Sequence, residues 1–209
     1  MTEHEYISKL SSPVSDALNW LERETHLRTN HARMLSGESV GHILHLIANL
    51  LQANNILEIG VFTGYSSICL AKGLTDNGHL DAIEINDELE DIILEGYEKA
   101  GVSDKISLHF GDAKKIIPTL NKEYDLIYID ANKREYCEYY NLVFDKVRPG
   151  GYIIADNVLW DGKVYSDTPS NDAQSIGIAN FNKMVSEDNR VRNFILPLRD
   201  GLNIIQKIK

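Results

Sequence analysis

The chain runs to 209 residues, and its 21 lysines and arginines against 31 aspartates and glutamates leave a formal charge of −10 and a pI near 5.1. That acidity disfavours non-specific binding to DNA, RNA or an anionic membrane, which depends on clustered cations, and no apolar run approaches the roughly 18–20 residues that would cross a bilayer. With 43% hydrophobic and 25% charged residues the composition is globular and excludes extensive disorder, so the expectation is a single domain over 1–209, a helical cap (1–54) on an α/β core (55–209).

Met1-Thr2-Glu3-His4-Glu5 lacks the basic and apolar regions of a secretory signal, which makes the cytoplasm the expected compartment. Ser12-Pro13 reads as an N-cap and a first-turn proline, opening a helix with Val14, Ala17, Leu18 and Leu21 on one stripe. After Ser36-Gly37-Glu38-Ser39 a second helix carries Val40, Ile43, Leu44, Ile47, Leu50 and Leu51. From Asn55 onward short apolar runs alternate with helical stretches: Ile56–Ile59, Leu80–Ile85, Ile106–Phe110, Leu126–Ile129 and Tyr152–Ala155. Parallel neighbours need crossover connections, so this spacing predicts a Rossmann-like, doubly wound α/β sheet whose strands all end on one edge, where a ligand should bind. Cys69 and Cys137 fall in helical stretches without ligand spacing around them and read as reduced, apolar side chains. The histidines show no HExxH pattern and read as structural or exposed. Asp161–Asp172 is a long polar loop. Phe194–Leu198 and Leu202–Ile205 flank Arg199-Asp200-Gly201, where Asp-Gly predicts a hairpin, so a sheet of about seven strands should be mostly parallel with an antiparallel end.

Glu58-Ile59-Gly60-Val61-Phe62-Thr63-Gly64-Tyr65-Ser66 is a glycine-bearing turn from strand to helix, able to bring a ligand against backbone N–H groups. Its Gly-x-x-x-Gly spacing is neither the dinucleotide fingerprint nor a phosphate loop, so it favours an uncharged or zwitterionic group, with packing alone as the bland reading. Glu84, ending the second strand before Ile85, can accept from both hydroxyls of a ribose. Asp112 and Ala113 can border an adenine, although Asp112 equally suits an N-cap. The fourth strand delivers Asp130-Ala131-Asn132-Lys133 and the fifth Asp156-Asn157. Asp130, Asp156 and Asn157 make a hard, incomplete oxygen set suited to Mg²⁺, though each alone would be a cap or turn former. A cation nearby would push Lys133 toward the neutral amine that can take a proton; alone it reads as a surface charge. Tyr136, Tyr139 and Tyr140 read as packing on the sheet, and Trp160 as either core or the wall of an acceptor pocket.

Together, Glu58–Ser66, Glu84, Asp130–Lys133 and Asp156-Asn157-Val158-Leu159-Trp160-Asp161-Gly162 resemble the cation-dependent small O-methyltransferases, the family of plant caffeoyl-CoA and animal catechol O-methyltransferases. The resemblance extends from Met34 to Asp200-Gly201-Leu202. It implies S-adenosyl-L-methionine across the strand edge, with Met34 and Ser36 closing over it, and Glu58, Gly60, Val61 and Ser66 in the turn at its methionine part. Glu84 and Ile85 would take the ribose, Asp112 and Ala113 the adenine, with Asp130 alongside. It also implies Asp130, Asp156 and Asn157 on a divalent cation, Mg²⁺ with Mn²⁺ or Ca²⁺ as alternatives, Lys133 as general base, a catechol-like or phenolic acceptor bordered by Trp160, and a homodimer. Ala32 and Asn132 stand where the catechol enzymes carry aromatic gatekeepers, so the acceptor is not inherited from them. A branch of the family that methylates 5-hydroxyuridine in tRNA supplies an alternative acceptor. A nicotinamide-dependent oxidoreductase and a non-catalytic adenosine-ligand sensor are the competing readings, the first opposed by the missing third glycine.

Overall fold

The computed structural model describes residues 2–166 and 171–209. Three helices open the chain, α1 (Glu3–Leu10), α2 (Asp16–Arg28) and α3 (Gly37–Leu50), with a 3₁₀ turn at Ala32–Met34 before α3. Strands and helices then alternate: β1 (Asn55–Ile59), α4 (Tyr65–Gly73), β2 (His79–Glu84), α5 (Glu90–Ala100), β3 (Ile106–Phe110), α6 (Ala113–Ile116), β4 (Tyr124–Ile129), α7 (Tyr136–Phe144), β5 (Val147–Asp156), α8 (Ala173–Glu187), β6 (Val191–Leu196) and β7 (Leu202–Lys207). Among the described residues the seven strands form one sheet in the order β3-β2-β1-β4-β5-β7-β6, parallel from β3 to β5 and antiparallel at β7 and β6. The strand order reverses between β1 and β4, and the crevice beyond the carboxyl ends at such a reversal is where open α/β sheets bind ligands. No helix among the described residues is long and apolar enough to cross a membrane.

Alternation along each strand feeds two cores. Ile56 of β1, Leu126 and Tyr128 of β4 and Ile154 of β5 face α2–α5, whereas Leu57, Ile59, Ile127, Ile129 and Ile153 face α6–α8. Helix α4 is buried nearly all round, including Ile68, Leu70 and Ala71, as expected of a helix covered on several sides. Glu58 shares the face of Ile56, a placement that matters below.

Several boundaries differ from the sequence reading. Helix α2 starts at Asp16 behind an extended Ser15, so Ser12-Pro13 does not open it, and its buried face is Leu18, Leu21 and Thr25. The inward stripe of α3 is Val40, Leu44 and Ala48, which leaves Leu50 80% exposed. Strand β2 ends one residue early and Ile85 turns outward; β5 begins five residues early because Val147 pairs with Tyr124 ahead of an irregularity in the ladder. Strand β6 ends at Leu196, and β7 runs on to Lys207. In the loop Asp161–Asp172, a 3₁₀ turn occupies Trp160–Gly162 and residues 167–170 lie outside the described residues. Cys69 and Cys137 are free, and burial pushes the Cys69 thiol up to about 12, consistent with an inert side chain.

Candidate functional site

A cavity of about 1380 Å³ lies along the carboxyl ends of β1, β2, β3, β4 and β5. It is lined by Met34, Ser36, Gly60, Val61, Ser66, Glu84, Ile85, Asp112, Ala113, Asp130, Lys133, Asp156, Asn157 and Trp160. Of the residues singled out by sequence only Glu58 is absent from this wall. Its side chain points with Ile56 beneath α4, is fully buried, and accepts from the hydroxyls of Ser66 and Ser67. Burial pushes its carboxyl up to about 8, against the opposing effect of those two hydroxyls.

The β1 turn is held by the protein itself. Glu84 Oε2 accepts from the backbone N–H groups of Val61 (3.0 Å) and Phe62 (2.7 Å), and Oε1 from that of Asn86 (2.9 Å). A carboxylate offers about four acceptor positions, so roughly one remains for a ligand hydroxyl. Gly60 has φ +91°, and a Cβ there would stand 2.3 Å from the Asp130 carbonyl oxygen. Glycine is therefore demanded by the approach of the two strand ends, whatever binds beside them. Asp112 caps α6, accepting from Lys114 N at 2.9 Å, while its residue still borders the cavity.

At β4 and β5 the arrangement is different. Lys133 is 6% exposed, and its Nζ donates to Asp130 Oδ1 at 2.5 Å and to the Tyr136 hydroxyl at 2.7 Å. Tyr136 lies within reach of the Ile129 and Asp156 carbonyls, at 3.2 and 3.0 Å, and packs edge-on against Phe181. Asp156 accepts from the Tyr128 hydroxyl (2.6 Å) and from Asn157 N (2.6 Å). Burial, and then the charge of Asp130, push the Asp156 carboxyl up to about 6, against the Tyr128 hydroxyl and the Lys133 ammonium. Two carboxylates thus face a single lysine in a low-dielectric wall, an excess of negative charge that a cation would offset. Among the described residues no three of His, Cys, Asp or Glu gather as metal ligands, so a cation here would rely on the two carboxylates and the Asn157 amide. That oxygen-only set fits a hard divalent ion.

Three residues just past β5 take left-handed backbone angles: Asn157 (φ 58°), Trp160 (φ 46°) and Asp161 (φ 52°). Non-glycine residues adopt them at a cost of roughly 1–3 kcal/mol when surroundings over-determine them. Here the surroundings do so: Asn182 Nδ2 donates to the Val158 carbonyl at 2.8 Å, and the Trp160 indole donates to Asp172 at 3.0 Å. Bonds from the Ser175 hydroxyl and the Trp160 indole hold Asp172 well below the usual carboxylate range. The sequence reading missed Tyr128 and Asp172, and it took Tyr136 as packing on the sheet without its bond to Lys133. The two tyrosines were legible in principle, since Tyr128 lies two strand positions before Asp130 and Tyr136 one helical turn after Lys133; Asp172 reaches Trp160 only through the fold.

Comparison with known proteins bears on the family and the fold. A sequence model described as O-methyltransferase matches residues 8–208. Caffeoyl-CoA O-methyltransferase 5 of Nicotiana tabacum is 33% identical over 186 residues, covering 84% of this chain and 78% of its own. Among solved structures, the O-methyltransferase TomG of Streptomyces achromogenes, involved in tomaymycin synthesis and crystallised with SAM, is 30% identical with a TM-score of 0.92 over 100% of both chains. An O-methyltransferase of Bacillus cereus in complex with SAH is 28% identical, with a TM-score of 0.89 over 97% of this chain and 96% of its own.

Proposed function

The chain belongs to the O-methyltransferase family and is an S-adenosylmethionine-dependent O-methyltransferase, and from that premise we propose that it methylates a hydroxyl of a small catechol-like or phenolic acceptor held at a divalent cation. The observation that carries the reading is the convergence of Asp130, Asp156 and Lys133 in one wall of the cavity, two carboxylates against one lysine. Bound S-adenosylmethionine supplies an electrophilic sulfonium methyl, and a divalent cation, Mg²⁺ ahead of Mn²⁺ or Ca²⁺, supplies charge that favours the phenolate of the acceptor.

The chain's own residues do the rest. Asp130, Asp156 and Asn157 hold the cation, and the Tyr128 hydroxyl orients the Asp156 carboxylate from behind. Lys133, as the neutral amine that a cation beside it would favour, would receive the acceptor's hydroxyl proton, its Nζ placed by Tyr136 and Asp130. Glu84 takes one ribose hydroxyl with its remaining acceptor position, and Met34 and Ser36 cover the cofactor. Trp160, pinned by Asp172, forms a flat wall for an aromatic acceptor. Holding both reactants in one crevice converts an encounter into an oriented displacement, worth up to roughly 7–11 kcal/mol in well-aligned systems.

The test is incubation of purified protein with S-adenosylmethionine, Mg²⁺ and a panel of catechols and monophenols. Methylated product that disappears on adding EDTA and returns with excess Mg²⁺ is expected. Turnover indifferent to chelation would overturn the cation assignment, and calorimetric binding of NAD in place of S-adenosylhomocysteine would overturn the methyltransferase reading.

A further inference from the structure

The turn between β6 and β7 reaches across the mouth of the cavity in two directions. Arg199 Nη1 donates to the Leu35 carbonyl at 3.0 Å and also to that of Ser36, in the segment that carries Met34 and Ser36 over the crevice. Gly37 follows so closely that a Cβ there would lie 3.1 Å from Arg199 Nη1. The next residue holds the opposite wall. Asp200 Oδ1 accepts from Asp161 N at 2.7 Å, its carbonyl accepts from Leu159 N at 2.8 Å, and the Gly201 carbonyl accepts from Val158 N at 3.1 Å. Arg199 and Asp200 both line the cavity themselves. Arg199 adopts φ 50°, an angle that glycine or asparagine takes more easily in a turn whose only task is to reverse the chain. Its long donor-bearing side chain is what a plain reversal would not need.

We infer that Arg199 and Asp200 are positioning residues, a clasp in which two consecutive residues fix the two facing walls of the site: Arg199, by its guanidinium, the segment around Leu35-Ser36, and Asp200, by its carboxylate on Asp161 N beside the backbone bonds to Val158 and Leu159, the strained segment Val158–Asp161. What each wall covers rests on the function proposed above, with the cofactor under the first and the acceptor under the second. The two halves act on different ligands, so removing them has separable consequences.

The experiment compares Arg199→Ala with Arg199→Lys, and Asp200→Ala with Asp200→Asn, where the conservative partner retains a donor or an acceptor. Amide hydrogen exchange of the ligand-free chains reads the clasp directly. Arg199→Ala should speed exchange at Met34 and Leu35 but not at 158–162, and Asp200→Ala should do the reverse, with Arg199→Lys and Asp200→Asn restoring part of the protection. Calorimetry with S-adenosylhomocysteine should show about fivefold weaker binding for Arg199→Ala, the equivalent of one net hydrogen bond, and unchanged binding for Asp200→Ala. Steady-state kinetics with the best catechol should show the acceptor KM of Asp200→Ala rising by about the same factor, with kcat less affected. Unchanged exchange in both alanine variants would overturn the inference, as would a common loosening of both walls with equal losses for both ligands. A wild-type chain that bound no S-adenosylhomocysteine would overturn the proposed function instead, while the exchange pattern would still decide for or against the clasp.

Discussion

The two halves of the cavity are built on opposite plans. On the β1–β2 side the acidic groups are mostly occupied within the protein: Glu84 ties down the backbone of Val61, Phe62 and Asn86, and Glu58 is closed under Ser66 and Ser67. On the β4–β5 side Asp130 and Asp156 crowd around one lysine, and the backbone beyond them is strained. The first half is a frame whose residues hold the fold, and the second sets two carboxylates against one lysine, an excess of negative charge that the proposed cation would offset. Substitutions should therefore damage stability on one side and chemistry on the other.

The sharpest way to break that contrast is Lys133→Ala. General-base removal should lower kcat by about 10²–10⁴-fold, with S-adenosylhomocysteine affinity retained by calorimetry; a loss confined to folding would erase the distinction. Asp156→Asn comes next. It removes a buried like charge, so thermal unfolding without metal should not fall, while the rise in Tm that Mg²⁺ gives the wild-type chain should vanish.

On the frame side Glu84→Ala should destabilise the chain by about 1.5–3 kcal/mol in urea unfolding, the range for bonds to a charged group, through loss of its hold on the β1 turn. The effect expected at Glu58 depends on pH. Its folded-state carboxyl titrates at about 8, raised by burial, whereas the unfolded chain ionises in the ordinary carboxylate range. The native state then holds a proton that the unfolded state has released, so its stabilising contribution is complete at acidic pH and is lost as pH rises toward and through about 8. Glu58→Gln, which carries no titrating proton, should flatten that decline. Unfolding free energies at pH 5.5 and 8.0 that differ equally in the two proteins would contradict the buried, protonated assignment.

How far the site was legible follows the same division. Strand-end positions are set by hydrophobic runs, so Asp130, Asp156 and Glu84 could be assigned to one edge before any coordinates. The roles of Glu84 and Glu58 could not, because motif reading places an acid near a ligand without counting the backbone donors that compete for it. Strand alternation would have warned that Glu58 shares the Ile56 face and turns away from the crevice. Arg199 and Asp200 read as hairpin residues and nothing more, since their partners are more than thirty residues away in sequence.

The sequence by itself determined the alternating α/β order, the antiparallel end, and the edge at which acidic, amide and lysine side chains collect, because these follow from local periodicity and the handedness of crossovers. Only the tertiary structure decided which of those charges are neutralised internally and which face the cavity. That outcome depends on donors brought from remote segments: Val61 and Phe62 to Glu84, Tyr128 to Asp156, and Arg199 to Leu35. A side chain's charge is written in the sequence, but the partners that satisfy it are set by distances that exist only once the chain has folded.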